Sequence, residues 1–181
     1  TALGHSSLYS NTAGSQSTAV GRDAMRYANS SGTAFTSYNT AVGYQALRGS
    51  TDPSWNYGIS NVAIGHNAML SNTIGGRNVA IGAASSTIKA AMQDNTQGYY
   101  NTAIGHGALA TNSHGSGSVA VGSGAMLYAN SANSAFDTYN TAVGANALQG
   151  SATASANTGI NNTVLGHSAG STITSGSNNI M

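Results

Sequence analysis

Four histidines occupy one position of a recurring phrase, directly after a glycine: His5, His66, His106 and His167. Neutral imidazole is a common metal ligand, so histidines repeated in this way raise the possibility of rings of imidazoles around an ion. Arg22, Tyr44, Ala83, Ser123 and Ala145 fill the same position elsewhere, and no His-x-His pair occurs. The position therefore reads as an exposed turn, and no metal ligand is assigned. Carboxylate chemistry has little material. There is no Glu, and the four aspartates are Asp23, Asp52, Asp94 and Asp137. Glycoside cleavage typically needs paired carboxylates. Gly166 to Gly170 spell GHSAG, a literal match to the nucleophile elbow, but Gly166 is a phrase glycine and no helix signal follows. GSGSVAVG (Gly115 to Gly122) likewise lacks the helix that a phosphate cradle requires. With no cysteine there are no disulfides or thiolate metal sites. The expectation is a non-enzyme with no catalytic residue, metal or cofactor.

Recognition has more to work with. Ten of the twelve aromatic residues lie in five segments that lengthen the repeat, residues 26–38, 48–60, 87–100, 127–139 and 149–161. Loops on a rigid scaffold are common sites of binding. Trp55 and Tyr57 stand out: they flank Asn56 near the only proline, Pro53, and an internal copy of the segment replaces them with Ala156 and Thr158. They are the expected surface contact to a glycan or protein. Tyr27, Phe35 and Tyr38 recur in the copy as Tyr128, Phe136 and Tyr139, which suits a repeated packing role.

What must position these residues is the phrase itself. It reads Asn/Ser–Thr/Val–Ala–Val/Ile/Leu–Gly–x–x–Ala–Leu/Met, as in NTAVGYQAL (Asn39 to Leu47) and NVAIGHNAM (Asn61 to Met69). Its glycine falls at Gly4, Gly21, Gly43, Gly65, Gly82, Gly105, Gly122, Gly144 and Gly166, in steps of 17, 22, 22, 17, 23, 17, 22 and 22 residues. Self-similarity at such periods marks a solenoid, each repeat burying its apolar face against its neighbours. A longer symmetry lies above it. Residues 2–70 align with 103–171 without a gap, with 37 of the 69 positions identical. The whole chain, 1–181, reads as one repetitive segment. Because it starts and stops inside phrases, it is expected to be a piece of a longer fibre.

Composition excludes several classes. Only 5% of residues are charged and the formal net charge is +1, which leaves no basic footprint for nucleic acid. No apolar run approaches the ~20 residues that span a bilayer. So much Gly, Ser and Asn would ordinarily suggest disorder, but the phrase recurring in phase argues against it.

Within the phrase, β-branched residues predict a short strand and the glycine a sharp turn, with Ala and Leu/Met beginning a second strand. Val20, Val42, Ile64, Ile81, Ile104, Val121, Val143 and Leu165 form a ridge on one side of the strand, and alanines line the other. Small Ala suits the inside of a narrow roll, and the ridge is expected in the core of the coil or of an assembly. Strands apolar on both faces are normally buried on both. Self-association follows, most simply as a homotrimer. The fold class expected is all-β, a parallel β-roll of about nine coils.

The phrases NTAVGYQAL, NVAIGHNAM and SVAVGSGAM resemble the YadA-like head repeat, and the resemblance extends over essentially the whole chain. It implies a left-handed parallel β-roll packed as three chains about an axis. Ala-Leu after the glycine with the spacers at residues 9–11 and 70–72 looks more like the repeats of bacteriophage tail fibres. The function implied is a structural or adhesive segment of a trimeric extracellular fibre: a tail fibre of the virion attaching to a host-cell glycan or protein. The alternative is the head of a trimeric autotransporter adhesin on a bacterial surface. An ice-binding roll would need flat rows of Thr, and here Thr alternates with Val.

Overall fold

The computed structural model describes residues 1–12, 14–28, 33–129, 136–153 and 156–181. In chain order the strands are β1 (Ala2–Leu3), β2 (Gly14–Ser15), β3 (Thr18–Val20), β4 (Phe35–Thr36), β5 (Thr40–Val42), β6 (Val62–Ile64) and β7 (Val79–Ile81). They continue with β8 (Thr102–Ile104), β9 (Gly115–Ser116), β10 (Val119–Val121), β11 (Phe136–Asp137), β12 (Thr141–Val143) and β13 (Thr163–Leu165). The phrase strands make one sheet in the order β1-β3-β5-β6-β7-β8-β10-β12-β13, and each of the nine phrase glycines directly follows one of its strands. Every neighbouring pair is parallel, and register is kept by residue type: Ala41 faces Ala63, Ala63 faces Ala80, and Ala80 faces Ala103. Two further parallel pairs, β2 with β4 and β9 with β11, lie away from this sheet. The fold is an all-β parallel β-solenoid.

Side-chain alternation decides what the solenoid encloses. The third-position alanines Ala19, Ala41, Ala63, Ala80, Ala103, Ala120 and Ala142 have no exposed surface. Those of the eighth position and the Leu or Met of the ninth complete the core, with Met69 and Met92 wholly buried. Methyl groups on the strand side leave room for one longer side chain from the opposite corner, as the burial of both sets shows.

The ridge lies on the outside. Val42, Ile64, Ile81 and Ile104 are 36–39% exposed and Leu165 71%, while Val20, Val121 and Val143 are half-buried. These residues are therefore not the coil core; the third-position alanines, with Val164 in their place on β13, point inward because alternation along the strand sends the third and fourth positions to opposite faces.

Two other expectations need correction. Ala and Leu/Met of the phrase do not begin a second strand. The ninth residue has φ near +50° (Leu47 49°, Met69 51°, Leu109 50°), as does the seventh (Gln45 55°, Asn67 62°), so the segment after the glycine is a tight corner. Its amides still stack on the next rung, as Leu47 N–H donates to Ala68 O at 2.9 Å. The glycine is obligatory here: at Gly43, with φ 132°, an added Cβ would lie 2.6 Å from the carbonyl oxygen of Gly65. In the 23-residue repeat, the extra residues come before the Ala–Met pair. Met69 N–H donates to Ala91 O and Met92 N–H to Ala108 O, which puts Ala91 and Met92 in the core register and the insertion at residues 83–90.

The first phrase residue, usually Asn, ties the rungs together. Asn61 N–H donates to Asn39 Oδ1 (2.8 Å), Asn78 N–H to Asn61 Oδ1 (3.0 Å) and Asn101 N–H to Asn78 Oδ1 (2.9 Å). Each amide group also donates inward, Asn61 to Gly75 O, Asn78 to Gly98 O and Asn101 to Gly115 O. A second column joins Asn72, Asn95 and Asn112 side chain to side chain. Buried polar groups are costly unless satisfied, and these ladders satisfy them repeatedly.

Candidate functional surface

Trp55 closes a short 3-10 turn, Pro53–Trp55, capped by Asp52. Asp52 Oδ1 accepts from Ser54 N–H (3.0 Å) and from the Ser54 hydroxyl (2.6 Å), and these bonds hold its carboxyl below the ordinary carboxylate range. Between the two aromatic residues, Asn56 is buried and accepts from Ser50 N–H at 2.9 Å. It donates back to Ser50 O at 3.0 Å and to Tyr27 O. Asn157 repeats these bonds to Ser151 and Tyr128 in the second copy. The anchor is thus common to both copies, and the exposed side chains around it differ. Trp55 is 63% exposed and Tyr57 45%, so the structure places both on the surface, held by a fixed backbone.

The repeated aromatics divide. Tyr27 is partly buried, with the guanidinium of Arg26 5.3 Å and that of Arg48 5.9 Å from its ring centroid. Phe35 and Phe136 are half-buried on the minor strands. Tyr38 and Tyr139, in contrast, are 59% and 58% exposed. Each precedes a phrase with φ near +50°, at an outer corner that turns the side chain away from the core, so packing inside the coil does not explain their repetition.

The histidine position is an outer corner too. His5, His66 and His167 are exposed and His106 is half-buried; the Tyr44 ring is 5.4 Å from His66 and 5.7 Å from the Arg22 guanidinium. Among the described residues, no three His, Cys, Asp or Glu side chains gather as a metal site would require. At GHSAG, Ser168 Oγ lies 3.5 Å from His167 Nε2 within a turn that leads into no helix. Among the described residues the ion pairs are Arg22 and Arg26 with the buried Asp23, and Lys89 with Asp94. No helix among the described residues is long and apolar enough to cross a membrane.

The outer sheet face is two positions wide on each strand, as the alternation of the phrase predicts. The second phrase position, alternating Thr and Val, points outward beside the ridge and is nowhere buried. Val, Ile and Leu of the fourth position carry a continuous apolar strip along the molecule, flanked by a second position that is Thr on β3, β5, β8, β12 and β13 and Val on β6, β7 and β10. The period-2 rule applied to the phrase contains this signal. No family model matches the chain, and no curated protein or solved structure matches it.

Proposed function

We propose that this chain is a structural and adhesive segment of a homotrimeric extracellular fibre, three left-handed rolls packed through the main sheet about a common axis. A bacteriophage tail fibre engaged in host attachment is the favoured setting. The carrying observation is the uncovered apolar face: Val42, Ile64, Ile81 and Ile104 stay more than a third exposed in the single chain and run in register from rung to rung. A contiguous strip of this kind marks an interaction surface, and a copy of the same chain offers the same repeat spacing. The near absence of charge on the chain favours close packing of like subunits. Trp55 and Tyr57 are proposed to meet a host-cell glycan or protein.

Light scattering of the intact assembly tests the oligomer: a mass three times the 17.9 kDa of the chain is expected. A monodisperse monomer at micromolar concentration overturns it. Host-cell binding by Trp55→Ala and Tyr57→Ala tests the contact, and unchanged binding makes the segment a spacer. Mass-spectrometric mapping of the parent chain separates the settings, since a C-terminal membrane β-barrel would instead indicate an autotransporter adhesin on a bacterial surface.

A further inference from the structure

The residue before each phrase sits at an outer corner with left-handed φ: Arg77 (58°), Tyr100 (59°), Gly117 (76°) and Tyr139 (47°). The pairing of β7 with β8, β8 with β10 and β10 with β12 puts these four on consecutive rungs. Gly117 leaves a gap in the row. The Tyr139 ring leans over it, since a Cβ on Gly117 would stand 2.7 Å from that ring. Beside the gap is an open cleft of about 340 Å³ lined by Tyr99, Tyr100, Ser116, Phe136 and Asp137. The Tyr99 and Tyr100 ring centroids are 6.3 Å apart at 43°. Because Ser116, Phe136 and Asp137 belong to β9 and β11, the cleft opens on the minor-sheet side of the corner.

Charge is arranged along this row. Tyr139 Oη donates to Asp137 Oδ2 at 2.9 Å, and among the described residues Oδ1 has no hydrogen-bond partner and Asp137 meets no Arg or Lys. The same bond pushes the Tyr139 hydroxyl above its ordinary pKa, so it stays a donor at neutral pH. At the other end, Arg77 Nη1 donates to Tyr100 Oη at 3.0 Å, and its guanidinium lies 5.3 Å from the Tyr100 ring centroid. Arg77 has no carboxylate partner among the described residues either. Aromatic faces beside one carboxylate favour an organic cation, whose charge is attracted by the ring quadrupoles. A cation at the Ser116 rung stands about 5 Å from the Asp137 rung and about 10 Å from that of Arg77.

We propose that this cleft binds phosphocholine, with the trimethylammonium among Tyr99, Tyr100 and Phe136 facing Asp137 and the phosphate turned toward Arg77. A bare ammonium would leave Arg77 unused, and an acidic ligand would meet Asp137. The first copy lacks the site: Thr36 stands in place of Asp137 and Gln16 in place of Gly117. The inference does not rest on trimer formation, because it uses side chains of one chain away from the main-sheet face.

The test is titration of the intact protein with phosphocholine, followed by calorimetry and by NMR of the aromatic side chains, with light scattering on the same samples. The expected result is saturable, millimolar binding at one site per chain, with shifts at Tyr99, Tyr100 and Phe136 and none at Tyr38. Asp137→Thr, which installs the first copy's own residue, is expected to weaken binding about fivefold or more. Arg77→Gln is expected to weaken phosphocholine more than choline. No saturable binding overturns the proposal. So does equal affinity for the uncharged isostere in which carbon replaces the ammonium nitrogen, or unchanged affinity in a folded Asp137→Thr. A chain that proves monomeric yet binds phosphocholine refutes the trimer and leaves this site standing.

Discussion

Asp52 organises the Trp55 loop with one carboxylate, accepting both the amide and the hydroxyl of Ser54. Because these bonds favour the charged form, the carboxyl is held below its ordinary range, and the linkage has a definite sign. The contribution is present above the ordinary Asp pKa and is lost as pH falls through the lowered one. Carbon-detected NMR should show Asp52 titrating at lower pH than an unstructured aspartate, and Ser54→Ala should return it toward the ordinary value. An unchanged midpoint in Ser54→Ala would mean that the hydroxyl does not set it. That Trp55 and Tyr57 reach solvent was legible in the sequence, because their replacement by Ala156 and Thr158 in an otherwise faithful copy freed them from a packing role. Tyr38 and Tyr139 recur in both copies, which suits capping of a long coil or packing between subunits. Identity between copies did not show that these rings stand exposed on the single chain, because their own positive φ leaves no trace in residue type when tyrosine, arginine and serine all occupy the position.

At the scale of the element, the rung is fastened by asparagine more than by the length of its strands, which are three residues at most. Asn78 makes the point: wholly buried, it donates to Gly98 O, accepts from Asn101 N–H, and gives its own N–H to Asn61 Oδ1. Asn78→Ala would strand the buried Asn101 N–H and leave Gly98 O only its longer bond from Asn95 Nδ2 (3.3 Å), at a cost of about 1–3 kcal/mol in denaturant unfolding. Asn78→Ser should cost less, since Ser118 already fills the same column and its Oγ accepts from Asn140 N–H at 3.3 Å. Equal losses for the two variants would show that the amide acts by shape and not by hydrogen bonding. The phrase strand, its glycine corner and the alanine interior were readable from period-2 alternation. The missing second strand was not, because Ala–Leu has no signature separating a strand from a corner whose amides also stack on the next rung. Nor was the role of Asn, since its partners are contributed by residues 14 to 23 positions away.

Across the whole molecule the repeat does two different things with apolar residues. It seals alanine, leucine and methionine inside, and it leaves valine and isoleucine in a strip along the outer sheet face. The inner set makes the solenoid, and the outer set is proposed to make the trimer. Substitution by aspartate separates the two. Ala63→Asp places a charge at a site with no exposed surface, so the chain itself should fail to fold. Ile64→Asp, one residue on, starts from a side chain 38% exposed in the single chain, so the isolated roll should tolerate it. In a trimer packed through this face, three such carboxylates would be buried near one another without partners, at several kcal/mol apiece. The expectation for Ile64→Asp, and equally for Ile104→Asp, is a chain that keeps its β-rich circular dichroism while its mass by light scattering falls to that of the monomer. A folded Ile64→Asp that remains trimeric would place the subunit contact on another face and leave the apolar strip without the partner proposed here.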